Sequence, residues 1–307
     1  MAALLDARPG EAWQVCIGSG PDAGALAAAA RWAERFGAAV SKRLAPANRL
    51  VRIRGGRSDE IFEIPPARAA LTLPPSAAWR FVKPDDGASL RLSSAQCRAV
   101  DQKAIAFLGV PGLCLMENAS LDALTVAMDM LRPSRGRVLV AAGGGNNGGD
   151  GLALARMFLE LGVKAEVAIL KPPARLSGDA EVNYRLFAAM PGAVVYDMHE
   201  QPRALSGLAE SSDLVVDALL GTGFKGKPSP AFKAAIKAIN ASGKPVLSLD
   251  LPSGLNGDNG EVEDAAIIAT RTVTFAAVKT GLDLAAGPRH SGQVWLGDIG
   301  APDQAFL

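Results

Sequence analysis

An aliphatic run, Val138-Leu-Val-Ala-Ala142, passes directly into Gly143-Gly-Gly-Asn-Asn-Gly-Gly-Asp-Gly151, and an apolar helix-forming segment follows over residues 152–161. Strand, glycine-rich turn and helix are the parts of a phosphate-binding βα unit. Glycines let the backbone approach a ligand, and the free N–H groups at a helix start face an anion. Asn146, Asn147 and Asp150 are additions to that plan. A pure phosphate cradle does not want a carboxylate beside phosphates, so Asp150 points either to chemistry or to a cation.

Gly143, Gly145 and Gly148 also satisfy G-x-G-x-x-G, the signature of nicotinamide dehydrogenases. That signature further requires an acid about 20 residues on, at the end of the second strand, to hold a ribose hydroxyl. The second strand, residues 165–170, ends instead in Lys171-Pro172, and Glu166 stands at its opposite end. The spacing therefore argues against an ordinary dehydrogenase.

Two more loops follow strands in the same manner. Residues 214–223 form an apolar run through Asp217 into Gly221-Thr-Gly223, with Lys225 and Lys227 just beyond. Residues 246–254 form another strand ending in Asp250, with Ser253 close behind. In an open parallel sheet the carboxyl ends of the strands share one edge, and ligands bind in the crevice there. The three loops should meet, gathering Asn146, Asn147, Asp150, Asp217, Asp250 and Ser253. A single Asp at a strand end reads more simply as a turn former or cap. Three such loops, each with glycine beside a polar group, read as a site.

These segments resemble the NAD(P)H-hydrate epimerase family (the YjeF N-terminal domain). The carriers are Gly143–Gly151, Val216-Asp-Ala-Leu-Leu-Gly-Thr-Gly223 and Asp250-Leu-Pro-Ser-Gly-Leu255, with Leu115-Met-Glu-Asn-Ala119, Thr272-Val-Thr-Phe275, Lys279 with Gly281, and Gly297-Asp-Ile-Gly300. The match runs in order from about Leu92 to the C-terminus. It implies a substrate, NADH or NADPH hydrated across one ring double bond, whose C6 hydroxyl is epimerised for repair by a separate dehydratase. It also implies that Asn146, Asn147, Gly148, Gly149 and Asp150 contact the ligand, with Gly221, Thr222, Gly223, Phe224, Lys225, Gly226, Lys227 and Asp250. One potassium ion per subunit is implied at Asn147, Asp217 and Ser253, as is a homodimer. Asp150 is the candidate acid–base group, protonating the leaving oxygen and deprotonating the returning water. Oxygen ligands of this kind suit a hard cation rather than zinc. Four positions depart from the family pattern: Gly144 stands where proline is common, Ser120 and Ala276 where glycine is usual, and Thr280 where proline is frequent.

Composition is consistent with this picture. At 307 residues, 49% of them apolar, one large domain and a smaller one are expected. A net charge of +1 gives no case for a nucleic-acid partner. Cys16, Cys97 and Cys114 have neither metal spacing nor an even count, and read as reduced thiols of a cytoplasmic protein. No apolar run reaches about 18 residues and no signal peptide is evident. His199 and His290 both lie in polar, loop-like contexts and read as solvated. Two readings stay open beside the epimerase. One is an enzyme of the same fold acting on another substrate, its pocket completed by the N-terminal region. The other is a non-catalytic nucleotide- or partner-binding scaffold, which would be expected to lose Asp150 or the cation ligands.

The fold class expected is α/β, a Rossmann-like three-layer αβα sandwich with a mainly parallel sheet, over residues 89–307. Ser93 or Ser94 caps a first helix bearing Cys97, Val100, Ala104 and Leu108, and a second runs from about 113 to 131. Strands recur near 138, 165, 193, 213, 246, 271 and 293. The short connection before residues 293–299 makes that strand a candidate antiparallel edge. Residues 1–88 read as a small α+β module: a strand near Trp13, an alanine-rich helix over 23–36, and a hairpin over 50–64. Prolines then mark a linker. The six basic residues between Lys42 and Arg57 read as a solvated strand face rather than a phosphate or RNA surface.

Overall fold

A computed structural model of the chain describes residues 82–131, 136–199, 204–301 and 303–306, and the backbone of strands 12–14, 49–54 and 57–63. The chain divides into two units, Met1–Phe81 and Val82–Leu307. In the first, β1 (Ala12–Gln14), β2 (Arg49–Arg54) and β3 (Arg57–Glu63) form an antiparallel sheet in that order. The expected hairpin is present. The helix expected over 23–36 and most of the proline-marked linker lie outside the described residues.

The second unit begins earlier than the boundary expected at 88/89. Strand β4 (Val82–Pro84) joins the main sheet, antiparallel to its last strand. After β5 (Arg91–Leu92) come helices α1 (Ser94–Ala106) and α2 (Gly112–Met130). Alternation then follows: β6 (Arg137–Ala142), α3 (Asn146–Glu160), β7 (Lys164–Ile169), α4 (Gly178–Ala188), β8 (Val194–Asp197), α5 (Leu205–Glu210), β9 (Leu214–Ala218), α6 (Pro230–Ala241) and β10 (Val246–Leu249). The chain ends with β11 (Arg271–Phe275), β12 (Val278–Lys279), α7 (Gly287–Ser291) and β13 (Gln293–Gly297).

The eight-stranded sheet has the order β4-β13-β11-β10-β9-β6-β7-β8. Period-two burial builds the layers. Val138, Val140 and Ala142 pack with Ala123, Val126, Leu152 and Phe158 on one face. Leu139 and Ala141 pack on the other with Leu205, Ile236 and Ile239. Each fully buried leucine or isoleucine contributes about 1.5–3 kcal/mol. Strand β13 is not the antiparallel edge expected; it runs parallel to β11, Arg271 opposite Gln293. Residues 276–292, including α7 and a turn at Gly292 (φ +58°), suffice for a crossover, which needs about a dozen residues.

Helix α1 starts in a capping box: Gln96 N–H donates to Ser93 Oγ and the Gln96 side chain accepts from Ser93 N–H. Glu166, at the far edge of β7, is held by Arg137 and Lys164 and is a structural acid. Among the described residues no helix is long and apolar enough to cross a membrane. From β6 the chain proceeds to β7 and β8 on one side, and to β9, β10 and β11 on the other. The switch point therefore lies between the carboxyl ends of β6 and β9, where such sheets bind ligands.

Candidate functional site

The segment after β6 contains less loop than its glycines suggest. Helix α3 starts at Asn146, with Gly145 as N-cap and no side chain capping it, so Asn146 to Gly151 are helical. First-turn N–H groups are thereby left for a ligand. Asn147 and Asp150, three residues apart, share a helix face. A Cβ on Gly143 would stand 2.0 Å from the Leu219 carbonyl oxygen, so glycine alone lets the β6 and β9 loops touch. The Gly143 N–H donates to the Ala218 carbonyl at 2.9 Å.

At the end of β9, Asp217 is fully buried and its carboxylate is surrounded by donors. Oδ2 accepts from Ser248 Oγ (2.8 Å) and the Ser253 N–H (2.9 Å), and Oδ1 from Ser253 Oγ and the Leu219 N–H. Burial raises the Asp217 pKa, and these hydrogen bonds pull against it. Ser253 Oγ also accepts from the Leu220 N–H at 2.9 Å, tying the β9 and β10 loops. On Gly221 a Cβ would meet Asn147 and the Asp250 carboxylate, at 3.1 and 2.8 Å, so this turn packs directly on both. Both polar atoms of the Asn147 carboxamide are buried and have no hydrogen-bond partner among the described residues. An orphaned buried amide is costly unless something binds it. The set Asn147, Asp217 and Ser253 offers only hard oxygen ligands, and no group of three or more His, Cys, Asp or Glu gathers among the described residues. The residues present thus fit an alkali cation better than a transition metal.

Asp250 lies at the end of β10 with a left-handed backbone, φ +66°, which costs a non-glycine residue on the order of 1–2 kcal/mol. That turn aims its side chain across the crevice. Oδ2 accepts from the Thr222 N–H at 2.8 Å, and Oδ1 pairs with Lys279 Nζ at 2.6 Å. Lys279 is positioned by β12, which pairs with β5, and donates to the Phe275 carbonyl at 2.8 Å. Burial would lower the Lys279 pKa, but Asp250, Cys97 and Asp101 hold it above its ordinary value.

Asp150 is half-buried beside this pair, and its backbone carbonyl accepts from Ser120 Oγ at 3.0 Å. Burial, then the charges of Asp250 and Asp101, push its carboxyl well above the usual carboxylate range, against Lys279. Asp101 on α1 behaves similarly: burial and Asp250 push it up to about 6 despite Lys279. Helix α1 is fixed to the β9 loop by Arg98, which donates to the Thr222 carbonyl at 2.7 Å. Asp150 and Asp101 thus both hold their protons to higher pH than an ordinary carboxylate, each opposed by the Lys279 charge.

Most expected site residues converge here. Asn147, Gly148, Gly149, Asp217, Asp250 and Ser253 are buried; Asp150, Gly221, Thr222, Phe224 and Gly226 are half-buried. Asn146, Gly223, Lys225 and Lys227 are exposed, and Lys225 pairs with Asp258 at 3.2 Å. Asp101, Cys97, Arg98 and the role of Lys279 went unread. Asp101 falls one turn beyond Cys97 and beside Val100 on the buried stripe of α1, and a carboxylate on that stripe was the available signal. The departures from the family pattern also find places. Ser120 is fully buried and also donates to the Met116 carbonyl, Thr280 donates to the Asp258 carbonyl, and Ala276 occupies φ +63°, where glycine would be unstrained. His199 is exposed, whereas His290 lies in α7 with Nδ1 2.7 Å from the Ile267 carbonyl oxygen. Cys97 and Cys114 form no disulfide among the described residues. Cys16 is outside the described residues.

Residues 112–281 match the family model described as YjeF-related protein N-terminus. The NAD(P)H-hydrate epimerase of Pirellula staleyi is 40% identical over 209 residues, 67% of this chain and 90% of that protein. That of Limosilactobacillus fermentum is 36% identical over 208 residues, 67% of this chain and 95% of that protein. The bifunctional NAD(P)H-hydrate repair enzyme Nnr of Moorella thermoacetica is 36% identical over 219 residues, and the chain spans 41% of its length. A crystal structure of yeast ynu0 superposes with a TM-score of 0.56 at 23% identity, covering 67% of this chain and 86% of that one, a likeness of fold. The motifs, the sheet order and these matches agree: the chain belongs to the YjeF N-terminal family.

Proposed function

We propose that the protein epimerises the C6 hydroxyl of hydrated NADH and NADPH. The observation that carries this reading is the carboxyl cluster at the switch-point crevice, where burial and the charges of Asp250 and Asp101 raise the Asp150 carboxyl well above the usual carboxylate range. The reaction needs such a group. Asp150 gives its proton to the C6 hydroxyl, the C6–O bond breaks, and water departs as the ring nitrogen supplies its electron pair. The resulting iminium is a cation, and the negative charge of Asp250 and Asp101 favours it. Water then adds to either face of C6 and returns its proton to Asp150. Exchange of face between loss and return is the epimerisation.

The free first-turn amides of α3 and the Gly221–Phe224 turn would hold the pyrophosphate. Asn147, Asp217 and Ser253 would hold a potassium ion, whose charge would draw the β6, β9 and β10 loops together. The orphaned Asn147 carboxamide supports this assignment. The dehydration that completes repair would belong to a second active site, in keeping with relatives such as the bifunctional NAD(P)H-hydrate repair enzyme of Moorella thermoacetica. A homodimer and a cytoplasmic setting, the latter in keeping with Cys97 and Cys114 standing outside any disulfide among the described residues, complete the proposal. Incubating one purified epimer with the protein and following the C6 proton by NMR tests it. Interconversion at catalytic protein concentration is expected.

A further inference from the structure

A different face of the same crevice carries a cation that the reaction above does not use. Lys171 stands two residues past the end of β7, just after Leu170, whose N–H still pairs with the Ala142 carbonyl at 2.9 Å. Its stem lies flat against the glycine-rich segment: Cδ, Cβ and Cγ stand 1.9, 2.8 and 2.9 Å from where a Cβ on Gly144 would be. Any side chain at 144 would displace it. Lys171 is half-buried, and its ammonium forms no ion pair with a described carboxylate. Lys225, Lys233 and Lys279 are, by contrast, paired with Asp258, Asp264 and Asp250.

The carboxyl end of the second strand of a doubly wound sheet is where the adenosine ribose 2′ position is read. An acid there holds a hydroxyl, and a cation accommodates a phosphate. Asp250 follows β10 and pairs with Lys279 of β12, and the charges of that pair act on Asp150 and Asp101; this sets the reacting ring at that end and the adenosine at the β7 end. We infer that Lys171, seated on Gly144, binds the 2′-phosphate of the substrate and biases the protein towards hydrated NADPH over hydrated NADH. This rests on the epimerase reading for its substrate class. The residue that spoke against a dehydrogenase's ribose-binding acid is, on this account, the phosphate reader in its place.

The test compares kcat/KM for the two hydrates in the wild type, in K171M, which keeps an apolar stem, and in G144A, which displaces the stem. Calorimetry with 2′-phospho-ADP-ribose and ADP-ribose as probes, at low and high salt, accompanies it. A hydrogen bond to a charged group corresponds to about a ten- to hundredfold effect. The ratio of kcat/KM values, phosphorylated over unphosphorylated, should fall by about tenfold or more in K171M and in the same direction in G144A. The affinity difference between the probes should shrink with salt in the wild type and be largely lost in K171M. Equal losses on both hydrates, which would mark a pyrophosphate contact, or no loss, would overturn the assignment. If the wild type epimerises neither hydrate while probe discrimination still depends on Lys171, the epimerase reading fails and the Lys171 assignment stands.

Discussion

Replacing Asp101 by Asn should stabilise the protein at neutral pH while impairing its chemistry. Burial and the Asp250 charge raise the Asp101 carboxyl from 3.8 to about 6 in the folded chain. The folded state therefore binds this proton more tightly than the unfolded state. Folding is penalised as pH climbs from about 4 to about 6, and the penalty is constant above that. At about 1.4 kcal/mol per pH unit the full penalty is about 3 kcal/mol. Asp101 is only partly buried, so solvent screening reduces this to about 1–2 kcal/mol. No described residue donates a hydrogen bond to its side chain, and Asn and Asp have similar helix propensity, so neither effect confuses the comparison. Urea denaturation at pH 7.5 should show Asp101→Asn more stable by about 1–2 kcal/mol, with the gain vanishing near pH 4. Its epimerisation rate should fall, since the Asp101 charge helps raise the Asp150 carboxyl and favours the cationic intermediate. A variant less stable at pH 7.5, or a gain independent of pH, would refute the electrostatic argument.

Three further expectations follow from the same geometry. Asp150→Asn should lose about 10²–10⁴-fold in epimerisation with nucleotide binding retained, checked by steady-state kinetics and calorimetry; an unchanged rate would remove Asp150 from the mechanism. Asp217→Ala should strand the Ser248 and Ser253 donors, cost about 3 kcal/mol or more in a thermal melt, and abolish any response to potassium. Wild-type activity and melting temperature that are identical in potassium and in a bulky organic cation would count against the cation site. A chain starting at Val82 should fold by circular dichroism and melt higher than one starting at Ser89, which lacks β4; equal melting would show that β4 is dispensable.

Strand ends were the readable part of the site because period-two aliphatic runs announce where a strand stops. Asp217, Asp250 and Ser253 stand just past such runs, and parallel topology then brings them to one edge. The start of α3 was harder. Gly148, Gly149 and Gly151 read as loop by propensity, yet their missing side chains are what close packing requires, with Met116 and Ala218 within 3 Å of the positions their Cβ atoms would take at 149 and 151. Tertiary contact overrode propensity there. Asp101 was hidden because a polar residue on a helix is ordinarily a solvated one. Strand β4 was missed because a three-residue edge bounded by proline has no pattern of its own, and β13 was misjudged because the crossover before it is built from short helical turns.

A carboxyl cluster at the β6–β9 switch point that exchanges the face of the C6 hydroxyl must turn a single epimer into a mixture of both. Proton NMR of a single purified epimer of hydrated NADPH in deuterated buffer, with and without protein, measures this directly. Wild-type protein should bring the sample rapidly to the equilibrium mixture of both epimers, and Asp150→Asn should bring almost none. Folded, nucleotide-binding wild-type protein that leaves the single epimer unchanged would contradict it.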